Sequence, residues 1–94
     1  MIFMVRRNLP GVSKEDVEAG LFRTYTCVAY YPGMKWINSF WDGDREQATC
    51  VYEADSEQQI RDHSERARVP CDEIIPVDMF GPTMFASEDI AIEV

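Results

Sequence analysis

Pro10-Gly11, Pro32-Gly33, Asp42-Gly43-Asp44 and Pro70 cut this chain into short stretches. Proline and glycine punctuate regular structure so strongly that each stretch can hold only one element or a tight pair of them. The side-chain period within each stretch then sets its type. Ile2 to Arg7 is apolar and β-branched, which predicts a strand ending at Leu9-Pro10-Gly11. Ser13 followed by Asp16 reads as a helix start, with Glu15 and Asp16 at the favourable positive end of the helix dipole. Val17, Leu21, Tyr25 and Val28 recur at three- and four-residue spacing, the apolar stripe of a helix over residues 14–30.

Lys35 to Trp41 alternates as a strand, with Trp36, Asn38 and Phe40 expected on one side and Ile37, Ser39 and Trp41 on the other. Asp42-Gly43-Asp44 turns the chain into a second strand from Ala48 to Ala54. There Cys50 and Tyr52 share one face, and Thr49, Val51 and Glu53 the other. Asp55 with Gln58 opens a second helix carrying Ile60, His63, Ser64 and Ala67 on one stripe, ended by Pro70. Asp72 to Phe80 is a last strand, and Pro76, which has no N–H for the ladder, places it at an edge or a bulge.

The order strand, helix, strand, strand, helix, strand is that of the ferredoxin-like α+β sandwich (βαββαβ). It implies a four-stranded antiparallel sheet with two helices on one face. Residues 1–80 form that domain; residues 81–94 are an extension in which Asp89 to Val94 alternates as an extra strand, a dimer arm or a tail. A chain of 94 residues is too thin to bury Trp36, Phe40, Trp41 and Tyr52 in one core, so a homodimer of the dimeric α+β type is expected.

Seventeen acidic against nine basic side chains give a net charge of −8, which opposes binding to nucleic acid and to anionic membranes. No apolar run spans a bilayer, and Arg6 and Arg7 interrupt the stretch a secretory signal needs, so a cytoplasmic protein is expected. Cys27, Cys50 and Cys71 form no Cys-x-x-Cys pair, which fits reduced thiols. His63 is the chain's one imidazole and therefore its one candidate for the commonest transition-metal ligand or a general base. Asn38 is an amide amid aromatics and needs hydrogen bonds or a wet cavity. Arg6 and Arg7 either hold a carboxylate or pair with Glu53 or Glu73.

Cys50-Val51-Tyr52-Glu53-Ala54, His63-Ser64-Glu65-Arg66-Ala67, Pro70 and Asp72-Glu73-Ile74-Ile75-Pro76-Val77 together resemble the small nickel-responsive, nickel-binding ferredoxin-like proteins. The resemblance spans residues 3–79 and is more specific from Trp36 to Val77. It implies a homodimeric fold with a divalent-metal site, nickel or a similar ion, and no established catalysis. The chain departs from the family pattern at Asn38, where relatives have His, and at Met4 and Arg6, where they have Asp-x-His or Glu.

Three readings follow. In the first, His63 anchors a metal with Cys50, Asn38 and a carboxylate such as Glu53 or Glu73. In the second, Trp36, Phe40, Tyr52 and His63 line a pocket for a small ligand, with His63 as general base and Asn38 as a donor to a carbonyl. The third is an interaction module built on the aromatic sheet face and the C-terminal arm.

Overall fold

A computed structural model describes residues 1–85. The alternation at Asp89 to Val94 lies outside the described residues. The elements are β1 (Ile2–Asn8), α1 (Lys14–Cys27) with a 3₁₀ turn at Val28–Tyr30, β2 (Lys35–Asp42), β3 (Gln47–Glu53), α2 (Glu57–Ala67) and β4 (Glu73–Val77), followed by a 3₁₀ turn at Pro82–Met84. All neighbouring strands are antiparallel and the sheet order is β2-β3-β1-β4. This is the ferredoxin-like arrangement, with β4 at an edge where Pro76 costs least. No helix among the described residues is long and apolar enough to cross a membrane.

Both helices start as their sequences dictate. Ser13 Oγ accepts from the Asp16 amide at 3.2 Å, and Ser56 Oγ accepts from the Gln59 amide at 3.2 Å. The second cap is therefore Ser56, one residue beyond the expected Asp55, whose own amide donates to Gln59 Oε1 at 2.9 Å. On α2 the expected stripe of Ile60, His63, Ser64 and Ala67 is buried in full. On α1 the buried positions are Val17, Gly20 and Thr24, while Tyr25 is 59% exposed. The small residues Gly20 and Thr24 let α1 approach its neighbours closely, and Tyr25 lies at the margin against Trp36, 6.2 Å between ring centroids.

Strand alternation divides the sheet into two faces. Phe3, Val5 and Arg7 of β1 sit opposite Tyr52, Cys50 and Ala48 of β3, all beneath the helices. Phe3, Val5, Cys50 and Tyr52, with Ile60 of α2, Met34 and Ala54, form the core, each large apolar member contributing about 1.5–3 kcal/mol by burial. The outer face carries Met4, Val51 and Ile75 in one row and Thr49, Arg6 and Glu73 in the next.

β2 departs from the expected alternation. Trp36 pairs with Tyr52, but Asn38 pairs with Val51, so two steps along β2 match one along β3 and Ile37 forms a bulge. The extra residue reverses the faces beyond it. Trp36 and Ser39 fall on the helix side, joined by an indole-to-hydroxyl bond of 2.9 Å, while Asn38 and Phe40 turn outward.

Candidate functional site

Adjacent arginines in a strand must point to opposite faces. Arg6 turns outward and pairs with Glu73 Oε1 at 2.9 Å, with both side chains about half exposed; such a pair is worth about 0–1 kcal/mol. Arg7 turns inward and is 2% exposed. Its Nη1 donates to Ser64 Oγ at 2.9 Å and to the Pro70 carbonyl at 2.7 Å, and its Nη2 donates to the Tyr52 hydroxyl at 3.3 Å. Every one of these acceptors is neutral, and Nε has no partner among the described residues. Burial works against the charge, but Tyr52 and Cys50 beside it outweigh that, so the guanidinium holds its proton more tightly than usual. Burial also pushes the Tyr52 phenol up, which keeps its hydroxyl protonated.

His63 lies beside this cation, wholly buried between Tyr31 and Tyr52, whose rings approach it edge-on at 5.8 and 5.2 Å. Where α1 tightens into its 3₁₀ turn, the Val28 amide bonds to Tyr25 rather than to Thr24. The Thr24 carbonyl is thereby freed, and His63 Nε2 lies 2.8 Å from it. A carbonyl only accepts, so Nε2 carries the proton and Nδ1 a lone pair. Nδ1 is buried and has no partner among the described residues. Burial first, and then the Arg7 cation, hold the His63 pKa below its usual range despite the Thr24 bond, so the ring is neutral at pH 7.

Next to Arg7 a cleft of about 290 Å³ opens between α1, the end of the sheet and the segment after α2. Val12, Val17, Leu21 and Val69 give it apolar walls, and Arg23, Arg68 and Asp16 place charge along it. Arg23 Nε is tied to the Ala67 carbonyl at 2.8 Å. Arg68 ends α2 with φ 56°, its amide bonding to Glu65 and the Val69 amide to Ser64, a Schellman motif with arginine where glycine is usual. The ion pairs among the described residues are Arg6–Glu73, Arg45–Asp42 and Arg61–Glu57, and none includes Arg7, Arg23 or Arg68.

The sheet separates the residues expected to form one metal site. His63 and Cys50 are buried on the helix side, whereas Asn38 and Glu73 are exposed on the outer face, Glu73 already engaged by Arg6. Glu53 also belongs to the outer face. The expected pocket residues diverge in the same way. Tyr52 is fully buried, Trp36 lines a shallow surface with Phe22 and Tyr25, and Phe40 is 62% exposed on the outer face because of the bulge. Arg23, Arg68 and Thr24 carry no motif signal that marks them in advance; only the packing of α1 on α2 brings them to the cleft.

These residues do not fit a nickel centre within one chain. His63 offers a single lone pair in a buried position beside the Arg7 guanidinium, which repels a metal cation. Among the described residues no group of three or more His, Cys, Asp and Glu side chains is placed to hold a metal ion.

The family model described as nickel responsive protein SCO4226-like matches residues 3–77. Among solved structures the chain is similar to the crystal structure of SCO4226 from Streptomyces coelicolor A3(2), with a TM-score of 0.76 at 18% identity, covering 86% of this chain and 100% of that one. Likeness at that identity speaks for the fold alone. No curated protein matches the chain.

Proposed function

The chain belongs to the SCO4226-like family of nickel-responsive proteins, and from that premise we propose that it is a binding protein that takes a small ligand in the cleft beside Arg7. The observation that carries this is a buried guanidinium whose acceptors among the described residues are all neutral and whose Nε has none there, at the wall of a cavity near the lower size limit of ligand pockets. A response to nickel does not require that this chain supply the ligand set. His63 serves here to close the Thr24 carbonyl and hold α2 to α1, rather than as a general base, because it is sealed from the cleft and its Nε2 is committed.

One observation favours a second reading, metal held at His63: the bare Nδ1 of a neutral ring is the form that ligates. Native mass spectrometry of tag-free protein equilibrated with nickel separates the two. The expected spectrum carries no stoichiometric nickel. One nickel per chain that disappears in His63→Ala establishes the second reading instead. Methyl NMR with a small-fragment library tests the cleft directly: shifts should gather at Val17, Leu21 and Val69, and hits confined to other surfaces refute the assignment.

A homodimer joined through the outer sheet face is part of this reading. It is supported by Met4, Phe40, Val51 and Val77, which with Met79 and Phe80 make up the apolar part of one depression on that face, edged by Asn38 and Asp78. Three cysteines without disulfides suit the reducing cytoplasm, where we place the protein.

A further inference from the structure

We infer that the ligand of this cleft is a small monocarboxylic acid with a compact apolar body, its carboxylate received by Arg7. The inference rests on the cleft-binding reading and names the class of molecule.

The argument starts from charge. A cation removed from water is costly unless an anion or a full set of strong acceptors accompanies it. Among the described residues Arg7 has three neutral acceptors and no carboxylate, unlike its neighbour Arg6. A guanidinium presents its donors as a planar fork suited to a carboxylate, and among the described residues the buried Nε of Arg7 has no acceptor. Arg7, Arg23 and Arg68 are three of the chain's nine cationic side chains, gathered at one cleft in a molecule of net charge −8. The cleft is therefore a local positive field that selects an anion from solution.

The other walls narrow the class. Val12, Val17, Leu21 and Val69 face a non-polar body, and about 290 Å³ admits only a small one. Asp16 lines the same cleft and opposes a second negative charge, which disfavours phosphates and dicarboxylates.

The test compares isovalerate with isovaleramide, which has the same shape without the charge, and with inorganic phosphate, each titrated into the full chain at low salt. Val17 and Val69 methyl signals and the Arg7 Nε–H correlation are followed by NMR. The expected result is saturable shifts at both sets of signals with isovalerate, at least about tenfold tighter than with isovaleramide, the scale of a charge-assisted hydrogen bond. Binding should weaken several-fold in Arg68→Gly, whose fold is secured by the same helix-end motif. Equal affinity for acid and amide overturns the carboxylate assignment while leaving the cleft a binding site. Phosphate binding as well as isovalerate overturns it in favour of a general anion site. No cleft shifts with any probe at millimolar concentration overturns both the assignment and the reading beneath it.

Discussion

Replacing His63 by alanine removes the one side chain that, among the described residues, answers the Thr24 carbonyl at the α-to-3₁₀ junction. A buried carbonyl left unsatisfied costs about 1–3 kcal/mol. The ring also loses edge contacts with Tyr31 and Tyr52, worth about 0.5–1.5 kcal/mol each beyond area burial. His63→Ala should therefore destabilise the fold by about 3 kcal/mol, a drop of roughly 10–20 °C in Tm for a domain of this size. His63→Gln, which returns an amide donor towards Thr24, should recover about 1 kcal/mol of that loss.

The effect depends on pH with a defined sign. The folded pKa of His63 lies below the unfolded value of 6.5, so at mildly acid pH the unfolded chain binds a proton that the folded chain excludes. The stabilisation is complete above 6.5 and is lost as pH falls towards the folded value. The gap between wild type and His63→Ala, measured by urea unfolding, should accordingly narrow as the pH falls below 6.5. A cost under about 1 kcal/mol at neutral pH, or a gap that widens on acidification, refutes the assignment of a sealed, neutral, Nε2-protonated ring.

Phe40→Asp sets a charge on the exposed outer face and should weaken the proposed dimer at least about tenfold; sedimentation velocity of both proteins across a concentration series checks this, and a monomeric wild type or an unaltered dimer refutes an interface on this face. Arg68→Gly relieves a left-handed backbone at φ 56° and should raise stability by about 0.5–1 kcal/mol in thermal unfolding. An unchanged or lower Tm there means that the arginine side chain contributes as much by contact as its backbone costs.

Local chemistry already wrote the fold into the sequence. Proline and glycine pairs, serine caps and the period of the apolar residues act over a few neighbours, and they fixed the order of elements, the buried stripe of α2 and the inward pairing of Cys50 with Tyr52. The resemblance to the nickel-responsive family was equally legible, because it rests on contiguous runs of residues. The site was not, because a sheet separates residues that sequence arithmetic treats as equivalent. One bulge at Ile37, invisible in a pattern of alternating large residues, carried Asn38 and Phe40 to the face opposite Trp36. Arg6 and Arg7 were a pair on paper, and only the packing of the helices decided that one meets Glu73 in water while the other is buried among neutral partners. Strand alternation guarantees that one arginine goes inward; which one, and that a cleft with Arg23 and Arg68 forms beside it, depends on contacts between segments some 60 residues apart, such as the bond from Arg7 to Ser64 with a separation of 57.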